Sequence, residues 1–100
     1  MKLAARKLLT IISEAQIENE ITGVIKKLGA HGFTSMEAWG EGARGRRSGE
    51  WEENRNVRVE VVCDSPTADK IAEYLVKNYC DNYAMILYSH TVEIIRTAKF

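Results

Sequence analysis

Apolar residues recur with a period of two in some segments of this chain and with a helical period in others, and their order predicts its elements. The segment Lys7–Ser13 (KLLTIIS) is almost wholly apolar, which predicts a central strand covered on both faces. In Asn56–Cys63 apolar residues alternate, and Arg58 and Glu60 lie on the opposite face. The predicted strands are Lys7–Ser13, Phe33–Trp39, Asn56–Cys63, Ala84–Tyr88 and, after a turn at Ser89-His90, the short Val92–Arg96.

Two segments repeat their apolar residues at helical spacing and are predicted to be helices. The first follows Ser13, a candidate N-cap that forms a capping box with Gln16, and it ends at Gly29, just after the C-cap. The second begins at Ser65-Pro66, with the serine as N-cap and the proline at the first helical position, and a turn at Asp81-Asn82 follows it. The predicted buried stripes are Ile17, Ile21, Val24, Ile25 and Leu28 in the first helix, and Ala68, Ile71, Ala72, Leu75, Val76 and Tyr79 in the second.

This order of elements predicts the α+β class: a ferredoxin-like βαββαβ sandwich with an extra C-terminal strand and a long loop between strands 2 and 3. Residues 1–100 are expected to form a single domain, since this length is a common domain size. Two helices can cover only one face of the sheet. The other face is partly apolar, so we expect a second subunit to cover it.

The loop, residues 40–56 (GEGARGRRSGEWEENRN), follows neither period. Loops of this length inside a compact domain are usually functional or disordered. Its glycines can bring backbone N–H groups close to a ligand, and arginines present planar forks that suit phosphate or carboxylate. The composition therefore predicts a loop that closes over an anion. The alternative is a solvated connection in which the glutamates of the loop neutralise its arginines.

Composition and spacing mainly argue against classes of protein and kinds of site. Lys plus Arg equals Asp plus Glu, at 14 each, so no net charge directs the chain to nucleic acid. Cys63 and Cys80 lack metal-site spacing and indicate a reducing compartment, which leads us to expect a cytoplasmic protein without a metal site or disulfide. The run Leu8–Ile12 is too short for a signal peptide or a membrane span.

No motif of an enzyme is convincing. Gly40–Gly45 matches G-x-G-x-x-G, but no amphipathic helix follows it, so a dinucleotide-binding fold is rejected. His31 and His90 stand alone and are expected to be structural. We predict no catalytic residues and no obligatory cofactor. An RNA-binding ferredoxin-like module, the competing function, is disfavoured because the two central strands carry no aromatic residue.

Four stretches resemble the PII-like signalling proteins, especially the branch linked to inorganic-carbon uptake and carboxysomes: LLTIISEAQIENEI, GFTSMEAWGEGARGRRSGEW, NVRVEVVC and YCDNYAMILYSHTVEI. The resemblance implies a non-enzymatic homotrimer that binds ADP, AMP, ATP or cyclic AMP in clefts between subunits, in some relatives with bicarbonate. It implies that residues 40–56 are the family's T-loop, which docks onto a target. That target would be a bicarbonate transporter, with peripheral association at the membrane, or a carboxysome-related protein.

The resemblance also assigns the nucleotide-binding residues. Thr34, Ser35 and Met36 would border the cleft, and Gly40, Gly42, Ala43 and Arg44 would form the loop base beside the phosphates. Arg46 and Arg47 would be further phosphate or bicarbonate ligands, and Tyr83, Ala84 and Met85 would complete the cleft. The loop lacks the uridylylated tyrosine and the glutamine–lysine pair of the nitrogen sensors, and the chain lacks the cysteine-bearing extension of the bicarbonate-transporter regulators. Divalent-cation-tolerance proteins, trimeric metal binders, share the fold and are a further alternative.

Overall fold

A computed structural model describes residues 2–40 and 55–95. It contains a four-stranded antiparallel sheet in the order β2-β3-β1-β4, with two helices packed against one face. The α+β ferredoxin-like fold is therefore confirmed, and Lys7–Ser13 and Asn56–Cys63 belong to the two central strands as predicted. No helix in the described residues is long and apolar enough to span a membrane. The elements are β1 Ala4–Glu14, a 3-10 turn at Ala15–Ile17, α1 Glu18–Lys27, β2 Thr34–Trp39, β3 Arg55–Cys63, α2 Ser65–Tyr79 and β4 Met85–Ile94.

The core lies between the sheet and the helices. On β1 and β3, Leu9 pairs with Val61 and Ile11 with Val59, so these four side chains share the helix-covered face. The predicted alternation of β3 is confirmed. The buried apolar residues are Leu9, Ile11, Ile17, Ile21, Ile25, Val57, Val59, Val61, Cys63, Ala68, Ile71 and Leu75.

The first helix ends where the sequence predicts, but it does not begin where the sequence predicts. Gly29 has a φ of 109°, and the Ala30 N–H donates to the Ile25 carbonyl at 3.2 Å, which closes a Schellman motif. Ser13, by contrast, is not an N-cap, because β1 continues through it and its buried hydroxyl has no hydrogen-bond partner among the described residues. Gln16 donates to the Glu14 carboxylate at 2.8 Å, so the predicted capping box is wrong.

The second helix is capped one residue earlier than predicted. The Asp64 carboxylate accepts the Thr67 N–H at 2.9 Å, so Asp64 is the N-cap and Ser65 is the first helical residue. The carboxylate is the stronger acceptor, because its charge strengthens the hydrogen bond at the positive end of the helix. Val76 was expected in the buried stripe but is 52% exposed, because it lies beside the face that Ile71 and Leu75 turn to the sheet.

We expect Asp64→Ala to lower the melting temperature at pH 7, and Asp64→Asn to retain most of the wild-type value because an amide oxygen can still accept. The hydrogen bonds from Thr67 hold the pKa of Asp64 below its usual range. The stabilisation is therefore present above the unfolded-state pKa and is lost as pH falls through the folded-state pKa. In thermal melts between pH 7 and pH 2, the advantage of wild type over Asp64→Ala should shrink at acid pH, whereas the advantage of Asp64→Asn, whose amide does not titrate, should persist. A wild-type advantage over Asp64→Ala that stays constant with pH would contradict the charged cap.

The final strand is one element, not two. Ser89 and His90, predicted as a turn, pair with Leu9 and Leu8 of β1 and lie inside β4. The predicted separate strand from Val92 is the continuation of β4 as far as Ile94. The reason is that β1 is longer than predicted and offers ladder partners along its full length, which outweighs the local turn preference of Ser89-His90.

No helix or strand among residues 2–40 and 55–95 covers the face of the sheet away from the helices, which is called the open face below. Its apolar side chains include Met36, Ile86 and Tyr88, which are 39%, 57% and 42% exposed. Arg58 and Glu60 form an ion pair of 3.0 Å on this face, as their predicted orientation implies. Between Glu60 and Tyr88 lies Thr10, fully buried, whose hydroxyl has no partner among the described residues.

Candidate functional site

The two ends of the loop leave the sheet side by side. Trp39, the last residue of β2, pairs with Arg55, the first of β3, so the described flanks of residues 41–54 are held by the ladder. Trp39 is 83% exposed, an unusual state for an indole, and Arg55 forms only a solvated 3.5 Å ion pair with Glu37. The loop base therefore exposes an aromatic ring, a guanidinium and the backbone of Gly40.

A buried carboxylate ties the start of β4 to this end of the sheet. Glu14, the last residue of β1, is 4% exposed, and its Oε2 accepts the Ala84 N–H at 2.6 Å. Its backbone pairs with Asn56, next to the loop flank Arg55. Sequence reasoning missed Glu14, because a glutamate that ends a strand looks like a solvated charge. The contact with Ala84, 70 positions away along the chain, is visible only in the folded structure.

The segment that Glu14 holds contains three of the predicted nucleotide-binding residues. Tyr83 and Met85 pack partly buried against the core, and the Tyr83 ring lies 6.2 Å from that of Tyr79. Ala84 donates its N–H to Glu14, so the segment is held at both its backbone and its side chains. These three residues lie at the same end of the sheet as the loop flanks, since Met85 pairs with Ser13.

The predicted residues on β2 point in different directions. Thr34 and Met36 lie on the open face, where they pair with Glu60 and Arg58. Ser35 points to the helix side, and its hydroxyl donates to Glu18 Oε2 at 2.6 Å. Of the three, Thr34 and Met36 can therefore contact a ligand on the open face. The remaining predicted residues, Gly42, Ala43, Arg44, Arg46 and Arg47, lie outside the described residues.

A single chain does not bring Thr34 and Met36 of β2 together with the segment Tyr83–Met85. β2 and β4 are opposite edges of the sheet, three strand spacings or about 14 Å apart. Thr34 and Gly40 stand at opposite ends of β2, about 20 Å apart along the strand. A cleft that contains both Thr34 and Ala84 requires the β2 edge of one chain to meet the β4 edge of another.

A small groove lies at the end of the sheet away from the loop. It has a volume of about 90 Å³, well below the roughly 300–1,000 Å³ of typical ligand sites. Burial raises the pKa of its Cys63 thiol, with a smaller contribution from the Asp64 charge, so the thiol stays protonated and is a poor nucleophile. The groove is lined by Gly29, Ala30, His31, Val62, Cys63, Asp64 and Thr67.

Within residues 2–40 and 55–95, no group of three or more His, Cys, Asp or Glu side chains is placed to hold a metal ion. Neither Cys63 nor Cys80 forms a disulfide in the part of the chain that the structure describes. The described ends of the loop instead present the guanidinium of Arg55, the indole of Trp39 and the backbone of Gly40. Such groups can bind anions and stack on bases.

Comparison with known proteins decides the family. Residues 6–99 match the model of the family described as nitrogen regulatory protein P-II. The chain belongs to the P-II family. Among solved structures, a PII-like signalling protein from Thermus thermophilus is 38% identical, with a TM-score of 0.81 over 95% of this chain and 94% of that one.

Two further P-II-like structures share the fold at low identity, and both are CPII from Thiomonas intermedia. One, bound to ADP, AMP and acetate, is 18% identical with a TM-score of 0.85 over 100% of this chain and 98% of that one. The other, bound to ADP and bicarbonate, is 19% identical with a TM-score of 0.81 over 95% and 93%. At these identities the likeness establishes the fold of the P-II chain described above and leaves its ligand open.

Proposed function

We propose that this chain is a non-enzymatic, cytoplasmic signalling protein, a single P-II domain that assembles as a homotrimer and binds adenine nucleotides between its subunits. The observation that carries the proposal is the P-II match over residues 6–99. The bound ADP and AMP of the CPII structures support the choice of ligand, and the bicarbonate in one of them supports a second anion. No obligatory cofactor and no metal are part of the proposal.

The geometry of the described residues supports a site between subunits. The β2 edge carries Thr34 and Met36, and the opposite edge begins at Ala84, so one chain supplies only half of a cleft from each edge. The groove beside Cys63, which lies among the described residues, is too small for a nucleotide. A second chain that covers the open face would bring the β2 edge of one subunit to the β4 edge of its neighbour. It would also bury Ile86 and Tyr88.

In this proposal the loop transmits ligand binding to a protein target. Gly40, Gly42, Ala43 and Arg44 lie beside the phosphates in this proposal, with Arg46 and Arg47 as further anion ligands. Ligand contacts to the loop then alter the surface that a protein target meets, so the affinities for ligand and target are coupled reciprocally. The proposed target belongs to inorganic-carbon metabolism: a bicarbonate transporter or a carboxysome-related protein.

The deciding experiment is calorimetric titration with AMP, ADP, ATP and cyclic AMP, each with and without bicarbonate. We expect saturable binding of at least one nucleotide, with no sustained nucleotide hydrolysis. Hydrolysis that a loop substitution abolishes would contradict the non-enzymatic assignment. Tight copper or zinc binding without nucleotide would favour a divalent-cation-tolerance protein. An RNA-binding module would instead shift oligonucleotides in a gel.

A further inference from the structure

The first and last strands extend beyond the rest of the sheet at the end away from the loop. β3 ends at Cys63, which pairs with Lys7, whereas the ladder between β1 and β4 continues for three more pairs. Among the described residues, Ala4–Arg6 therefore pairs with Val92–Ile94 alone, and this two-stranded segment is called the ribbon below. At about 3.3 Å per residue, the ribbon projects roughly 10 Å past the end of β3.

The ribbon is poorly suited to stand alone in water. Two paired strands are only marginally stable without a third strand or a packed face. Two large apolar side chains flank the ribbon, and in the single chain Leu3 is 50% and Ile95 is 60% exposed. On its β3 side, the backbone of Ala4–Arg6 meets no further strand among residues 2–40 and 55–95, which leaves an edge open to pairing. These features predict that the ribbon is covered in the native protein.

The size of the open face indicates that the cover is a second copy of this chain. Even if all four strands ran the length of the eight-pair ladder between β1 and β3, the open face would project only about 19 by 26 Å, or roughly 500 Å². A stable contact buries about 800 Å² of accessible surface per partner, and each subunit of a closed trimer makes two such contacts. A subunit of the proposed trimer therefore needs contact surface beyond the open face.

The ribbon supplies such surface next to the open face. Side chains alternate along β4, so Val92 and Ile94 lie on the same side of the sheet as Tyr88. We propose that the ribbon of each subunit packs against a second copy of this chain in the homotrimer, which buries Leu3 and Ile95. The inference rests on the proposed trimer, and it adds a contact region at the end of the sheet away from the loop.

The direct test uses wild-type oligomers mixed from methyl-labelled and unlabelled chains. Nuclear Overhauser effects filtered for contacts between chains should join the methyl groups of Leu3 and Ile95 to the unlabelled partner. The methyl groups of Val76, on α2, are the control and should show no such contact. Contacts of Leu3 and Ile95 within their own chain only, or no contacts at all, would overturn the inference. Because this test uses the wild-type chain, it does not depend on how a variant folds.

The second test measures how much the ribbon contributes to assembly. Leu3→Asp and Ile95→Asp should each raise the concentration at which half of the trimer dissociates by at least about tenfold, since each loses the burial of a large apolar side chain. Val76→Asp, at a position that is 52% exposed, should leave this concentration unchanged. Sedimentation over a dilution series measures the dissociation, and circular dichroism checks that each variant is folded.

The outcomes separate the inference from the proposed function. If wild type is a trimer and both ribbon variants dissociate at the wild-type concentration, the inference is overturned and the trimer stands. If wild type is a monomer at micromolar concentration, the proposed function fails and the inference fails with it.

Discussion

Replacing Arg44 with alanine is expected to weaken nucleotide binding on the order of 10- to 100-fold. Arg44 follows the glycine-rich loop base directly, so its side chain starts nearest the proposed phosphate position. A bidentate guanidinium–phosphate contact contributes roughly 1.5–3 kcal/mol because both partners are charged and the geometry is fixed. Arg44→Lys should recover only part of the loss, since an ammonium group cannot reproduce the fork. Calorimetric titration with the preferred nucleotide measures the affinity of wild type, Arg44→Ala and Arg44→Lys.

Arg55 is the matched control, because it flanks the same loop at its other end. Its side chain is 71% exposed, and its 3.5 Å ion pair with Glu37 is solvated. Arg55→Ala should therefore change nucleotide affinity less than about threefold, as expected for an exposed pair. In wild type, the ligand should also slow amide exchange across residues 40–56 and slow tryptic cleavage after Arg44 and Arg46. Equal affinity of Arg44→Ala and wild type, with equal cleavage of the loop, would leave residues 40–56 as a solvated connection.

The predictions from sequence that held depend on local physics. The alternation of β3 required only that one face be apolar, and it placed Arg58 and Glu60 on the open face correctly. Gly29 ended α1 because residues other than glycine rarely adopt its φ of 109°. In both cases the signal lies within a few residues of the feature that it predicts.

The predictions that failed concern competition from distant partners. Ser13 has a good N-cap side chain, but pairing with Met85 and Val57 keeps it in the strand. Ser89-His90 has turn composition, but the length of β1 keeps both residues paired. Local preferences worth about 1 kcal/mol yield to a ladder that runs along both strands, and a single sequence does not reveal the length of that ladder.

The candidate site also has parts that the sequence predicts and parts that it does not. The loop and the segment Tyr83–Met85 could be identified along the chain, because their composition and motif are local. Their arrangement could not, since β2 and β4 are opposite edges of the sheet and the cleft requires two chains. Glu14 could not be found either, because its hydrogen bond to Ala84 joins residues that are 70 positions apart.

The largest expected effect concerns assembly: Ile86→Asp should dissociate the trimer and abolish nucleotide binding. Ile86 lies on the open face and is 57% exposed in the single chain, so an aspartate there leaves the fold of each chain intact. In the proposed trimer the same position is covered by a neighbouring subunit. Burying an unpaired carboxylate at each interface costs roughly 3–5 kcal/mol, more than enough to dissociate three chains at micromolar concentration.

Val76→Asp is the control for this substitution. Val76 is 52% exposed, almost as much as Ile86, but it lies on α2, on the other side of the sheet. Sedimentation equilibrium should give about 34 kDa for wild type and Val76→Asp, three times the chain mass of 11.3 kDa, and a monomer for Ile86→Asp. Circular dichroism should give the same secondary structure for all three. A trimer that survives Ile86→Asp would place the subunit contact elsewhere than the open face, and with it the cleft between β2 and β4.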